Sequence, residues 1–357
     1  MRSGFFFGYF ENIKMIKMAF RRIFLPLIVF SILVFDPIYG QKFELDSNYV
    51  EETPDLFSLR FYFSKKYTDL IQKTADGNTY RFQPNSGNNL GIGFTYQKLT
   101  LNLAMPVGFL NPDRQQDWPL YLDLQAHLYP KNMIIDVFGQ FYNGYSIPSD
   151  FLSNSDSPYL REDIKLRKLG LNFNYLFNGG QLSLMAAFNQ SFIQKRSAFS
   201  PFVGFEIYGG SIKGDSLLLP AFENQRESNF SSNRSFQVGP NAGFAGTVVF
   251  GGGFFLTGVF SGNLSLAYAQ WNGSSDLDQW GIVPTYFLRG FFGYNSRKFS
   301  INANYVLKNN QMVRLDNFDL SKETGNYRIN FIYKFQPGEG FKRGFSKINP
   351  LRLIKKD

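Results

Sequence analysis

Alternation of apolar and polar side chains recurs along most of this chain and constrains its fold more than any other feature. In "PLYLDLQAHLY", residues 119–129, every second residue is leucine or alanine, and the residues between them include Asp123 and His127. A period of two is typical of a β-strand, because successive side chains of a strand point to opposite faces. No stretch keeps a 3.6-residue period over a dozen residues, so the sequence predicts strands rather than long helices.

The stretch "LNFNYLFNGGQLSLMAAFNQ", residues 171–190, shows this alternation on both sides of Asn-Gly-Gly. Asn and Gly tolerate the positive φ angles that tight hairpin turns require. We therefore predict a β-hairpin here, with a second strand running through 182–189.

Similar segments separated by turn residues fill the chain from 57 to 335. We recognise about 13 candidate strands, and "TYRFQPN" at 79–85 is a further candidate, whereas single-chain bacterial outer-membrane barrels normally have an even number. The prediction is about 12 strands, within a range of roughly 10–14.

The apolar face of each strand must be covered, either by a second sheet in a soluble β-sandwich or by lipid around a membrane barrel. Aromatic residues make up 18% of the chain although the mean hydropathy is slightly negative, at -0.21. A helical membrane protein would instead show continuous apolar spans of about 20 residues. Because several strands are long enough to cross a bilayer at a tilt, we predict an all-β, antiparallel, up-and-down transmembrane β-barrel over 57–335, with the sandwich as the alternative.

The N-terminal residues 1–40 have the pattern of an export signal. Basic residues precede the apolar run "IFLPLIVFSILVF", residues 23–35, which is too short to span a bilayer comfortably. We predict cleavage after Gly40 and a true start at Met15 or Met18. Residues 41–56 are then expected to form a periplasmic lead-in, and the protein is predicted to reside in the bacterial outer membrane.

The net charge of +9 is concentrated at the two ends of the chain. The C-terminal tail, residues 336–357, carries six basic and two acidic residues. Since the body of the chain is nearly neutral, a nucleic-acid partner is not predicted. The tail is expected either to be a solubilising extension or to contact a periplasmic envelope partner.

Several segments resemble a known family. "FSLRFYFSKKY", "LGIGFTYQKLTLNL", "QKRSAFSPFVGFEIYGGSIKGDSLLLP" and "VGPNAGFAGTVVF" are similar to segments of the Bacteroidetes family called domain of unknown function 4421 (DUF4421). The resemblance implies an outer-membrane β-barrel of unknown activity, and it supplies no catalytic residues.

Charged and polar residues on the polar side of the alternation are predicted to line the lumen. They are Arg60, Asp123, His127, Asp136, Glu206, Arg328 and Lys334. Two interpretations remain open: a structural ion-pair network that fills a narrow barrel, or a lining that selects a small solute.

His127 is the only histidine of the chain. Together with Asp123 or Asp136 it raises the hypothesis of a barrel enzyme acting on lipid, while a polar residue of the lumen is the simpler interpretation. There is no cysteine, and the acidic residues near Asp150 do not have EF-hand spacing, so no metal or cofactor is predicted.

Alternate residues of the last predicted strand resemble the aromatic-terminated signal that the barrel-assembly machinery reads. They are Tyr327, Ile329, Phe331, Tyr333 and Phe335. The leading functional hypothesis is a non-enzymatic narrow channel or structural envelope barrel in contact with outer-membrane lipid. The alternatives are the lipid-acting enzyme and a scaffold that recruits an envelope partner through its loops or basic tail.

Overall fold

Long antiparallel strands make up most of the computed structural model. It describes residues 45–348 except 54, 75–76, 97–98, 112–121, 130–131, 153–155, 217–229, 274–275 and 315–317. The predicted export signal and residues 349–357 of the tail lie outside the described residues.

The strands alternate with short turns and longer connections. In chain order they are β1 (Val50–Glu52), β2 (Phe57–Thr74), β3 (Thr79–Pro84), β4 (Asn88–Tyr96), β5 (Leu99–Pro106), β6 (Leu122–Leu128), β7 (Met133–Ile147), β8 (Tyr159–Leu176), β9 (Phe192–Gln194), β10 (Ala198–Lys213), β11 (Phe230–Gly251), β12 (Phe254–Gly273), β13 (Leu277–Asn295), β14 (Phe299–Gln311) and β15 (Phe318–Phe335). Two helices, α1 (Leu184–Phe188) and α2 (Glu339–Ile348), and short 3₁₀ turns at Gly108–Leu110 and Ser149–Phe151 complete the described elements.

Ten strands of the described chain close into a barrel in the order β2-β15-β14-β13-β12-β11-β10-β8-β7-β3. The last strand pairs with the first long strand from Phe318↔Thr74 to Phe335↔Phe57, and β3 links β2 to β7. Every ring strand thus has a neighbour on each side, although β3 and β7 share only the pairs Gln83↔Ser146 and Pro84↔Tyr145. A ring of paired strands is the arrangement that a membrane barrel requires. The predicted all-β antiparallel barrel is confirmed, with a ring at the lower end of the predicted range.

Three further strands widen one end of this sheet. β4 pairs with Ser58–Lys65 of β2, and β5 pairs with β4, while β6 pairs with β7. Within the described residues β5 and β6 are not paired with each other. The candidate strand at 79–85 is confirmed as β3, which occupies the same edge of β2 as β4 but at a different height.

β12 shows why these sequences form a barrel wall. Its outward residues Phe260 and Leu264 are 54% and 62% exposed, whereas the inward Ser261 and Ser265 that directly follow them are buried. An extended apolar face that is open to the surroundings on the outside of a closed cylinder is the arrangement of a lipid-facing wall. The sandwich alternative would have buried these residues between two sheets.

The stretch 171–190 departs from the prediction. Its first half belongs to β8, but residues after the Asn-Gly-Gly sequence form helix α1 and not the predicted second strand of a hairpin. Leu184, Met185 and two alanines are strong helix formers, and a short apolar run fits either a strand or a buried helix. The predicted strand at 182–189 is therefore wrong.

Residues 177–197 fold back into the barrel, and we call this segment the plug. It contains α1 and β9, and β9 pairs with β1 to form a separate two-stranded sheet. Its apolar side chains pack against the inner wall near the ends of β8 and β12, for example Leu184 with Phe202 and Val259. The plug thus lies at the end of the barrel where β2 begins and β15 ends.

A second apolar cluster, here called the apolar cap, fills the opposite end. Its buried members include Leu70, Phe82, Tyr142, Ile164 and Trp271. These side chains come from strands on all sides of the ring and meet across its axis. The interior is therefore apolar at both ends.

Helix α2 belongs to a compact unit separate from the barrel. Within it, Lys342 Nζ donates to Glu339 Oε1 at 2.7 Å, and the rings of Phe341 and Phe345 are stacked with centroids 6.0 Å apart. No helix in the described part of the chain is long and apolar enough to cross a membrane.

Candidate functional site

Between the plug and the apolar cap, inward-facing polar side chains form a layer that we call the polar layer. It is built from positions that alternate with lipid-facing residues on β2, β6, β7, β8, β10, β13, β14 and β15. Since strand geometry fixes this alternation, each charged residue of the layer is directed inward by its neighbours in sequence.

Asp136 is the centre of one ion cluster. Its Oδ2 accepts a hydrogen bond from Arg289 Nη2 at 2.5 Å, and His127 Nδ1 lies 2.6 Å from its Oδ1. Asp136 and Arg289 are 0% and 1% exposed, while the imidazole of His127 is 30% exposed. The Arg289 guanidinium also lies over the ring of Phe188 in the plug, 5.1 Å from its centroid. The cluster therefore joins β6, β7, β13 and the plug.

Asp123 forms a second cluster. Its carboxylate accepts hydrogen bonds from Tyr142 Oη at 2.6 Å, Gln140 Nε2 at 3.0 Å and Lys66 Nζ at 3.4 Å. The last of these contacts connects β6 to β2. Both oxygens of this carboxylate are thus occupied by structural partners.

Glu206 pairs with Lys308 across the barrel, with 2.8 Å between Oε2 and Nζ. Its other oxygen accepts from Asn241 Nδ2 at 3.1 Å, and Lys308 also contacts the Tyr208 hydroxyl. The ammonium lies over the Tyr208 ring at 4.1 Å. These contacts connect β10, β11 and β14.

Two of the predicted lumen residues contact the plug or its supporting turn. Arg60 Nη2 donates to the backbone oxygen of Asn189 at 2.9 Å. Lys334 Nζ donates to Asn295 Oδ1 at 2.7 Å, and Asn295 Nδ2 donates to the backbone oxygens of Ala186 and Phe192. Arg60 and Lys334 therefore help to fix the plug.

Arg328 is the remaining predicted lumen residue. Its guanidinium lies 4.6 Å from the centroid of the Tyr62 ring. The structure thus brings His127 together with Asp136, but it places Asp123, Glu206 and Arg328 in separate groups.

Several charged residues of the polar layer were not singled out from the sequence. They are Lys66, Lys168, Arg289, Lys308 and Lys322. In β13 the inward face also carries Phe287 and Phe291, both buried, so both faces of this strand are aromatic and the polar side is hard to recognise.

The residues of the predicted assembly signal lie on the outside of β15. Tyr327, Ile329, Phe331, Tyr333 and Phe335 are all exposed, and Phe335 contacts Phe57 with ring centroids 5.3 Å apart. They share the outer face with the exposed residues of neighbouring strands.

The described residues contain no group of three or more His, Cys, Asp or Glu side chains that could hold a metal ion. In the acidic region that follows Asp150, Asp163 of β8 is paired with Arg161 at 2.7 Å. The arrangement is that of a structural ion pair at the start of β8.

The family model for domain of unknown function 4421 matches residues 44–335, which span the barrel and the plug. The chain belongs to the DUF4421 family. The resemblance noted in the sequence is thereby confirmed, and the matched range contains every predicted lumen residue of this family member.

Three solved structures of outer-membrane proteins are among those that match the chain. An outer-membrane channel from Pseudomonas putida F1 has 14% identity and a TM-score of 0.30, with 84% of this chain and 100% of that chain covered. The toluene transporter TodX of P. putida has 7% identity and a TM-score of 0.24, with 80% and 91% covered. The outer membrane protein OprG of Pseudomonas aeruginosa has 12% identity and a TM-score of 0.20, with 80% and 99% covered. No curated protein is similar to the chain in sequence.

Proposed function

We propose that this DUF4421 member is a non-enzymatic outer-membrane β-barrel with a closed interior and a structural role in the envelope. The observation that carries the proposal is the filling of the barrel along its axis. The plug occupies one end, the apolar cap occupies the other, and cross-barrel ion pairs connect the strands between them.

Two interior cavities in the described part of the chain are small. One lies between the plug and the wall, beside Ala187, Thr257 and Asn295, and the other lies beside Lys168 and Lys322. Each has a volume of about 10 Å³. Such a space holds roughly one water molecule, whereas conduction needs a continuous path with room for ions or solutes.

The outer surface supports a location in the membrane. Exposed phenylalanine, leucine and isoleucine side chains cover the outside of β10 to β15. The tight turn at Gly251–Gly253, where all three glycines have positive φ, lies at the plug end. Because short turns of outer-membrane barrels face the periplasm, we assign the plug end to the periplasmic side. An export signal at 1–40 would deliver the chain there.

Conductance measurements in planar bilayers test the proposal. The wild-type protein and a variant in which residues 183–193 are replaced by a short Gly-Ser linker would be compared, after each is shown to be folded by heat-modifiable electrophoretic migration. We expect no stable conductance from either protein, since the apolar cap still closes the barrel when the plug is removed. Stable conductance steps from the wild-type protein would show that it is a channel. Stable conductance steps from the variant alone would show that the plug blocks an otherwise open pore.

A lipid-acting enzyme is the second candidate, and the 2.6 Å contact between His127 Nδ1 and Asp136 Oδ1 is the observation that favours it. A carboxylate orients a histidine in this way in Ser-His-Asp triads. However, Asp136 is also paired with Arg289, and the ring neighbours of His127 are Phe138 and Phe188. This environment is more typical of a structural ion pair.

Release of fatty acid from phospholipid or lipopolysaccharide by the purified protein separates the two candidates. Hydrolysis that is lost in folded His127→Ala would support the enzyme. Absence of hydrolysis by the wild-type protein would reject it and agree with the structural barrel.

A further inference from the structure

Two buried lysines of the polar layer have no acidic partner. Lys168 on β8 and Lys322 on β15 are 4% and 5% exposed, and neither forms an ion pair within the described part of the chain. Lys168 Nζ donates to Asn310 Oδ1 at 2.9 Å and to Thr324 Oγ1 at 3.3 Å, and Lys322 Nζ donates to Ser235 Oγ at 3.3 Å.

The acids nearest to these lysines in the polar layer are already occupied. Glu206 is paired with Lys308, and Asp123 is paired with Lys66. Asp136, in the third cluster, is paired with Arg289. Each of these carboxylates thus already has a basic partner, and Lys168 and Lys322 are left without a counter-charge among the described residues. Burying an ammonium without a counter-charge is costly, so such groups are normally paired or hydrogen-bonded on all sides.

Both lysines line the same small interior cavity. Its other walls include Tyr208, Ser235, Gln237 and Asn310, and its volume is about 10 Å³. An ammonium has three N–H donors. After the hydrogen bonds described above, Lys168 retains one free donor and Lys322 retains two. The cavity is therefore small, donor-rich and positively charged.

We propose that this cavity binds a single monoatomic halide ion, chloride under ordinary conditions, between Lys168 and Lys322. Chloride is larger than a water molecule but much smaller than sulfate or phosphate, and it accepts several hydrogen bonds, so a small shift of the two flexible lysine side chains would admit it to this one-water space. The ion offsets one of the two positive charges and ties β8 to β15 across the interior. The site lies beyond the proposed closed-barrel function, since it depends only on the two lysines and the cavity.

Thermal unfolding of the detergent-purified protein tests this site. Chloride would be titrated into a sodium gluconate background at constant ionic strength. We expect the Tm to rise by a few degrees and to saturate, because a ligand that binds only the folded state stabilises it by mass action. Bromide should replace chloride, whereas sulfate, which stabilises proteins non-specifically, should give no saturating rise at low concentration.

Two matched variants test whether the halide-dependent rise in Tm arises at this cavity. Lys322→Met removes one ammonium while keeping an apolar chain of similar length, and it should abolish the halide-dependent rise in Tm. Lys73→Met, at an exposed position on β2, is the control and should leave the rise unchanged. An equal halide response in Lys322→Met would contradict the proposal.

Anomalous diffraction from bromide-soaked crystals of the wild-type protein gives a second measurement that does not depend on a variant folding. The site predicts a bromide peak within hydrogen-bond distance of both Nζ atoms. A water molecule in the cavity, with no bromide peak there, would overturn the proposal.

Discussion

Among individual residues, the buried charges of the polar layer are the most sensitive to substitution. Asp136→Ala would leave the fully buried Arg289 without its carboxylate. Because an unpaired buried charge is strongly unfavourable, we expect the free energy of unfolding to fall by about 3–5 kcal/mol. Urea unfolding of the protein refolded into liposomes measures this change.

An exposed ion pair provides the control for that measurement. Arg297 pairs with Glu51 at 2.5 Å, but its side chain is 74% exposed. Arg297→Ala should therefore lower the free energy of unfolding by no more than about 1 kcal/mol. If Asp136→Ala and Arg297→Ala had equal effects, the buried pair would not stabilise the barrel as described.

The direction of each lumen residue could be read from the sequence, but its partner could not. Alternation within β6 and β7 is local, so Asp123 and Asp136 were recognised as inward-facing. The partner of Asp136 is Arg289, 153 positions further along the chain. Such contacts depend on which strands face each other across the closed ring, and a local pattern carries no information about this.

At the scale of elements, the plug is the part that the sequence pattern mispredicted. Residues 182–189 alternate as a strand would, yet helix propensity and burial inside the barrel give α1. Its position is fixed by contacts that are distant in sequence, chiefly the hydrogen bonds from Arg60 and Asn295 to plug backbone oxygens.

Removal of the hydrogen bonds from Asn295 to the plug should loosen the plug without opening the barrel wall. Asn295→Ala deletes two hydrogen bonds to Ala186 and Phe192. Each lost hydrogen bond contributes about 1 kcal/mol, so the plug should open more often in the variant. Amide hydrogen exchange in residues 184–194 should therefore become roughly 10-fold faster or more. Hydrogen-exchange mass spectrometry measures the rate.

Asn304→Ala, on β14 and away from the plug, is the matched control and should leave exchange in 184–194 unchanged. Unaltered plug exchange in Asn295→Ala would show that these two hydrogen bonds do not hold the plug in place.

The last strand is a second element with a specific expectation. If the exposed aromatic series on β15 is the assembly signal, Phe335→Ala should lower the fraction of folded protein in outer-membrane preparations several-fold, while Phe345→Ala on α2 should not. Heat-modifiable migration separates the folded and unfolded forms. Equal folded fractions in the two variants would remove the assembly role from Phe335.

For the whole molecule, hairpin rhythm and aromatic content were sufficient to predict a membrane barrel, but not its ring size. β3 and β4 share one edge of β2 at different heights, so consecutive strands do not all add to the circumference. The arrangement of two apolar ends around a polar middle could not be predicted from the sequence either, because the residues of the apolar cap come from strands throughout the sequence.

The central claim is that lipid surrounds the wall and that side chains, not water, fill the interior. The chain contains no cysteine, so single nitroxide labels can be placed at successive positions 256–268 of β12 in the reconstituted protein. We predict that oxygen accessibility oscillates with a period of two, with maxima at outward positions such as 260 and 264. Labels at inward positions should be inaccessible both to oxygen and to a water-soluble nickel chelate. High nickel accessibility at 261 and 265 would reveal an open aqueous lumen, and low oxygen accessibility at 260 and 264 would place that face against protein instead of lipid.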